Sequence, residues 1–185
     1  MNQSNLPIAL CNTGPLISAF QSDSIALFTL LFREIHTTEA CITELAKHGW
    51  QASVEQARSF IVTQSLTLEE NSMARNLAEK IAAHPLSQDA NPAGHLGEAQ
   101  VMALAQRSIY SETIILLDER AARAVALESG LNVSGFAGAL ILAVNEQWIE
   151  PEQVKARLEQ CRRQGTPYSE ALIERAYQLA QEAKV

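Results

Sequence analysis

The chain has 185 residues, of which 47% are hydrophobic and 19% charged, and it carries a formal net charge of −7. This length suits one domain, and the composition excludes a disordered chain. The negative charge argues against a protein that coats nucleic acid through a basic surface, although a nucleic-acid enzyme with an acidic metal site remains compatible with it.

Short apolar runs alternate with helical patterns along the chain. Strands are predicted at residues 6–11, 35–38, 61–68, 113–117 and 131–134. Helices are predicted between and after them, at residues 16–20, 25–32, 39–47, 50–60, 69–83, 96–107, 119–129 and 136–147. Strands that alternate with helices in this way indicate βαβ units and a parallel sheet, so the fold class is α/β.

Turn residues divide these elements. Asn12-Thr13-Gly14-Pro15 ends the first apolar run, and Pro15 suits the first position of the helix that follows. Residues 84–94 contain two prolines, Asn and Gly and form the clearest loop. Residues 113–117 are apolar on both faces, as a central parallel strand should be, and they lead directly into Asp118.

Two further helices are predicted at residues 151–164 and 169–183, separated by Gly165-Thr166-Pro167. Both carry mixed charge, which is typical of surface helices. We therefore expect a domain at residues 1–150, with residues 151–185 as a helical appendage packed on it or as a tail that binds a partner.

The cysteines and the apolar stretches indicate a cytoplasmic protein. Cys11, Cys41 and Cys161 are far apart and form no Cys-x-x-Cys pair, so neither a disulfide framework nor a zinc knuckle is expected. Residues 1–6 lack the basic start of a secretory leader, and no apolar stretch is long enough to span a bilayer.

Polar residues follow two of the predicted strands. Asn12 and Thr13 come after the first strand, and Asp118 and Glu119 come after the central one. Ligands bind outside the carboxyl ends of the strands in open parallel sheets, so these side chains are candidates for a functional site.

Two more acids stand on apolar helices. Glu44 has the apolar neighbours Ile42 and Leu45, and Glu98 lies in the first turn of a helix rich in Ala, Val, Met and Leu. Crowded carboxylates raise each other's pKa unless a positive charge lies between them. Mg²⁺ takes oxygen ligands and would relieve that repulsion.

Simpler interpretations exist for each of these residues. The helix dipole alone favours an acid at Glu98, and Asp118 would serve as the N-cap of a helix that begins at Glu119. Glu44 would fit a solvated helix edge. Arg120 would fit either a solvated helix face or a contact to an RNA phosphate. The order of the acids along the chain, rather than any single one, favours a metal site.

Four motifs follow one another along the chain: Asn12-Thr13-Gly14-Pro15-Leu16-Ile17, Ile42-Thr43-Glu44-Leu45, Leu96-Gly97-Glu98-Ala99 and Leu116-Leu117-Asp118-Glu119-Arg120. In this order they resemble the motifs of the PIN-domain family, in particular its VapC-like branch. The resemblance covers about residues 7–150. It implies a three-layer α/β/α fold with a central parallel sheet, here followed by the C-terminal helices.

The resemblance also implies a ribonuclease that depends on Mg²⁺ or Mn²⁺. Such proteins are often homodimers and the toxin of a toxin–antitoxin pair. Carried over to this sequence, Glu44, Glu98 and Asp118 would be the metal-binding and catalytic acids, with Glu119 as a fourth acid or an alternative to Asp118. Thr13 and Arg120 would position a ligand or the RNA.

One position departs from the family pattern. Asn12 stands where the family has its first Asp. An amide oxygen can ligate a metal but brings no negative charge, so weaker binding of a hard cation is expected, by about 10–100-fold.

Three functions follow from these patterns. The first is metal-dependent hydrolysis of RNA, and the second is a PIN-like module with weak or no activity that binds RNA or a protein. A phosphatase is the third, and Asn12 counts against it because that class needs a nucleophilic Asp directly after the first strand.

Overall fold

The computed structural model describes residues 5–183, so most of the polar start at residues 1–6 lies outside it. Five strands form one sheet: β1 (Ile8–Cys11), β2 (Glu34–Thr38), β3 (Ile61–Gln64), β4 (Ile114–Leu116) and β5 (Val133–Ser134). The sheet order is β3-β2-β1-β4-β5, and every neighbouring pair is parallel. The predicted α/β class and parallel sheet are confirmed.

Ten α-helices connect and flank the strands in this part of the chain. They are α1 (Thr13–Gln21), α2 (Ile25–Leu31), α3 (Glu39–Lys47), α4 (Gln51–Gln56), α5 (Leu68–Ala83), α6 (Leu96–Leu104), α7 (Arg120–Glu128), α8 (Phe136–Asn145), α9 (Pro151–Arg163) and α10 (Glu170–Ala183).

Two apolar layers cover the two faces of the sheet. One layer contains Leu16 of α1, Phe28 of α2 and Phe136 of α8, and the rings of Phe28 and Phe136 lie 6.0 Å apart. The other layer is formed by α5, α6 and α7 and includes Leu77, Met102 and Val125. Helices on both faces of a parallel sheet give the predicted three-layer α/β/α architecture.

The C-terminal helices share the first of these layers. Val154 and Leu158 of α9 and Ile173 of α10 are buried in the same apolar cluster as Leu16. The charged faces of α9 and α10 remain exposed, as the mixed charge predicted. The division of the chain at residue 150 stays a prediction.

Several predicted boundaries were wrong by a few residues. Helix α1 begins at Thr13 rather than Leu16, because the side chain of Asn12 caps it. Helix α4 ends at Gln56 rather than Phe60, since the next residues turn so that the buried Phe60 leads into β3. Strand β3 and helix α6 also end earlier than predicted, at Gln64 and Leu104.

All three cysteines are buried and free. Among the residues that the structure describes, no helix combines the length and the apolar character needed to cross a membrane.

Candidate functional site

Four of the predicted site residues lie at the carboxyl ends of the two central strands. Asn12 and Thr13 follow β1, and Asp118 and Glu119 follow β4. These strands are neighbours, and the strand order reverses between them, since β2 and β3 lie on one side of β1 and β4 on the other. Such a reversal opens the crevice in which ligands of doubly wound sheets bind.

The side chains after β1 are fixed by the start of α1. Asn12 is the N-cap of this helix, and its Oδ1 accepts a hydrogen bond from the backbone N–H of Gly14 at 2.9 Å. The buried Thr13 donates its hydroxyl to Oε2 of Glu44 at 2.6 Å. The hydroxyl of Thr13 thus connects the first strand to the predicted acid on α3.

Gly14 brings Asn12 and Asp118 to the same point. A Cβ on Gly14 would lie 3.6 Å from Oδ1 of Asn12 and 3.9 Å from Oδ2 of Asp118. Both oxygens therefore border the small volume beside this glycine, one from each central strand.

Asp118 does not cap the helix that follows it in sequence. Its Oδ1 accepts from the backbone N–H of Phe136, the first residue of α8, at 2.8 Å, and its Oδ2 accepts from the hydroxyl of Tyr168 at 2.7 Å. Burial raises the pKa of Asp118, and these two donors oppose that rise, as does the positive charge of Arg123.

Glu119 is the N-cap of α7. Its two carboxylate oxygens accept from the backbone N–H groups of Ala121 at 3.0 Å and Ala122 at 2.5 Å. The interpretation of Asp118 as the cap of this helix is therefore wrong. Arg120, the first residue of α7, is exposed at the rim of the adjacent cleft.

Glu98 is half-buried in the first turn of α6, close to two other acids. Burial raises its pKa, and the carboxylates of Glu44 and Glu119 raise it further. Helices α3 and α6 lie close together here: a Cβ on Gly97 would be 3.7 Å from Oε2 of Glu44. The negative charges of Glu44 on α3 and Glu119 before α7 therefore act on the carboxyl group of Glu98.

Ion pairs neutralise some acids of this chain but not those of the site. Glu70 pairs with Arg107 at 2.7 Å and Glu174 pairs with Lys155 at 2.8 Å. By contrast, the site acids form no ion pair with any residue in the 5–183 range; these acids are Glu44, Glu98, Asp118 and Glu119. Their hydrogen-bond donors are neutral hydroxyls and backbone N–H groups.

The donor set fits a hard divalent cation in its chemistry. Carboxylate and amide oxygens are the ligands such cations take, and Mg²⁺ is usually held by one or two carboxylates while it keeps several waters. Within residues 5–183, no three His, Cys, Asp or Glu side chains are already close enough together to hold a metal ion. The fit therefore rests on the oxygen donors and on their lack of an ion-pair partner in that range.

Some residues of the site were missed in the sequence. Tyr168 and the N–H of Phe136 both bond Asp118, and neither lies in a recognisable motif. Gly135 lies against the same carboxylate, since a Cβ there would be 2.6 Å from its Oδ1. His95, three residues before Glu98, is held by the loop before α6, since its Nε2 bonds the carbonyl of Asp89 at 2.7 Å.

Fold and site together define an open parallel α/β protein with an acidic group at its topological switch point. The family model DUF3368, a PIN domain, matches residues 8–182, and the chain therefore belongs to the PIN-domain family. Neither a curated protein nor a solved structure matches it significantly.

The family match extends beyond the motifs that carried the resemblance. It includes α9 and nearly all of α10, whereas the resemblance had covered about residues 7–150. PIN domains are generally nucleases that use divalent metals, so a nuclease-type function is what the family indicates for this chain.

Proposed function

We propose that this protein is an endoribonuclease of the VapC-like branch that depends on Mg²⁺ or Mn²⁺. The observation that carries the proposal is the set of four acids at the carboxyl edge of a PIN domain, none of which takes part in an ion pair among the described residues. Glu44 and Glu119 raise the pKa of Glu98 by repulsion, and a divalent metal among these carboxylates would offset that repulsion.

Asp118, Glu98 and Glu44 are the proposed metal-binding acids, with Glu119 as an alternative to Asp118. A divalent cation held by these residues would supply Lewis acidity for the activation of water and the stabilisation of phosphate charge. Thr13 orients the carboxylate of Glu44 through its hydroxyl. Asn12 contributes an amide oxygen at the corner where the family pattern has an acid.

A cleft of about 630 Å³ beside Asp118 and Glu119 is the proposed RNA site. Its walls include Ile17 and Leu172, which offer apolar contact to bases, and Arg120 lies at its rim. An Arg at this position can bind a phosphate oxygen while the carboxylates hold the metal. We therefore assign to Arg120 the positioning of the RNA backbone.

The test is cleavage of single-stranded RNA by the purified protein with Mn²⁺. Glu98→Gln keeps the shape of the side chain but removes its charge, so cleavage should be lost. Glu112→Gln is the matched control, because Glu112 is exposed and precedes β4, at the amino ends of the strands and away from the site. Cleavage that survives Glu98→Gln but still needs metal would contradict the proposal.

The alternative function is a PIN-like module with weak or no activity, and Asn12 is the observation that favours it. Asn and Asp are equally good N-caps, so Asn12→Asp should keep α1 intact while it adds the missing charge. If the proposal holds, this variant binds Mn²⁺ more tightly and cuts faster than the parent. A parent and an Asn12→Asp variant that both bind no Mn²⁺ at millimolar concentrations in calorimetry would favour the binding module.

The toxin role, an antitoxin partner, a homodimer and action in the cytoplasm are part of the same proposal. Induced expression should arrest growth, and a gene for a small DNA-binding protein should lie next to this one. Light scattering at micromolar concentration tests the dimer. Growth that is unaffected by a protein active on RNA in vitro would exclude the toxin role and leave the ribonuclease.

A further inference from the structure

Tyr168 connects the C-terminal helices to the candidate site. It lies between α9 and α10, and the residue is only 8% exposed in the apolar cluster that contains Leu16. Its hydroxyl donates to Oδ2 of Asp118 at 2.7 Å and lies 2.8 Å from Oγ of Ser18. Since an ionised carboxylate only accepts, the single proton of Tyr168 points to Asp118, and Ser18 donates to the phenol oxygen.

The segment that carries Tyr168 is clamped to the end of α1. The side-chain amides of Gln160 and Gln164 donate to the carbonyl of Gln21 at 2.7 and 2.6 Å. The hydroxyl of Thr166 donates to Oε1 of Gln21 at 2.6 Å. These bonds fix the backbone on the N-terminal side of Tyr168, so the phenol hydroxyl has little freedom to leave Asp118.

The hydroxyl of Tyr168 fixes the carboxylate of Asp118, which the ring alone could not do. A phenylalanine would fill the same apolar space and would need no partner, whereas a buried hydroxyl is costly unless it is bonded. The bond it makes holds one oxygen of Asp118, and the N–H of Phe136 holds the other. Together the two donors leave the carboxylate a single orientation.

We propose that Tyr168 is a positioning residue of the metal site and that the C-terminal helices complete this site by delivering it. The inference rests on the proposed function, in which Asp118 binds the metal. A group that orients a ligand in this way typically changes metal affinity by about 10–100-fold when it is removed.

Tyr168→Phe tests the inference, with binding of Mn²⁺ alone followed by calorimetry. We expect the dissociation constant for Mn²⁺ to rise by about 10–100-fold. Tyr110→Phe is the matched control, because Tyr110 is also buried and its hydroxyl lies 2.6 Å from Nδ1 of His36, in the other apolar layer. Tyr110→Phe should lower the free energy of unfolding in urea about as much as Tyr168→Phe does, and it should bind Mn²⁺ like the parent.

A Tyr168→Phe variant that binds Mn²⁺ as tightly as the parent would overturn the inference and leave the ribonuclease proposal standing. A parent that neither binds Mn²⁺ nor cuts RNA would overturn both. If Tyr168→Phe fails to fold, the double variant Ser18→Ala/Tyr168→Phe replaces it, because it leaves no unpaired Ser18 hydroxyl in the core. The same change in Mn²⁺ affinity is expected for it, and an unchanged affinity overturns the inference.

Discussion

Gly135→Ala should displace Asp118. The backbone at Gly135 is extended, with φ −132° and ψ −175°, so an alanine meets no strain there from its own backbone conformation. Its Cβ, however, would lie 2.6 Å from Oδ1 of Asp118 and 3.1 Å from the carbonyl oxygen of Leu117. The first distance is too short for any real contact, so the carboxylate must move.

The movement has two costs. Overpacking of a tight site costs about 1–3 kcal/mol. A shifted carboxylate also weakens the 2.8 Å bond from the N–H of Phe136, and a hydrogen bond to a charged group contributes about 1.5–3 kcal/mol. Part of each cost will relax, so we expect Gly135→Ala to lower the free energy of unfolding by about 2–4 kcal/mol.

Urea unfolding measures this loss, with Gly14→Ala as the control for stability. Gly14 also borders Asp118, but a Cβ there meets nothing closer than 3.6 Å. It lies in the first turn of α1, where alanine is the better helix former, so Gly14→Ala should be neutral or stabilise by up to about 1 kcal/mol. Equal stability of Gly135→Ala and the parent would refute this placement of Asp118 against Gly135.

Three further predictions concern the charges and the core. Without metal, Glu98→Gln should stabilise the protein at pH 8, by about 0.5–2 kcal/mol in urea. Burial raises the folded-state pKa of Glu98, so the parent loses stability as the pH rises through that pKa and the gain should vanish in acid. The bidentate bond from Arg107 lowers the pKa of Glu70 to about 2, so this pair stabilises the fold above the usual carboxyl range and loses its effect as the pH falls towards about 2. Glu70→Gln should therefore cost about 1 kcal/mol at pH 7, and its urea midpoint should vary less with pH in acid. Leu158→Ala should cost about 2–5 kcal/mol because Leu158 is fully buried, whereas Leu127→Ala, at a side chain that is 60% exposed, should change the urea midpoint little.

The fold was predictable where the local sequence pattern of an element agrees with its position in the folded domain. The apolar run at residues 113–117 has no polar face, as expected for a strand covered on both sides, and β4 lies there. Helix α3 spans Glu39–Lys47 as predicted, with an acid in its first turn and a glycine of positive φ, Gly49, just beyond it. Both ends of this helix are set by nearby residues.

Boundaries failed where a distant contact decides them. Residues 50–60 have a helical pattern, yet α4 stops at Gln56 because Phe60 must be buried and Ile61 must pair with Ile35 of β2. The start of α1 was missed for a different reason. Pro15 suits the first position of a helix, whereas the Asn12 side chain already caps a helix that begins at Thr13. Capping by Asn is a local signal and was available in the sequence.

The sequence pattern predicted a group of acids but not the hydrogen-bond donors that fix their side chains. The two donors to Asp118 come from Phe136 and Tyr168, which lie 18 and 50 positions further along the chain. No periodicity in residues 169–183 or in the turn before them points to Tyr168. A polar residue between two helices of mixed charge is usual at a surface. Only the packing of α9 and α10 against α8 and α1 turns this tyrosine inward.

Asn12 explains how the site can lack one acid while the fold stays intact. Its Oδ1 caps α1 in the way an aspartate would, so helix formation sets no preference for the charged residue. Burial raises the pKa of both Asp118 and Glu98, so the fold opposes the ionisation of these two side chains. Glu119 differs, because its carboxylate caps α7. A divalent cation bound as proposed would favour the ionised forms of Asp118 and Glu98.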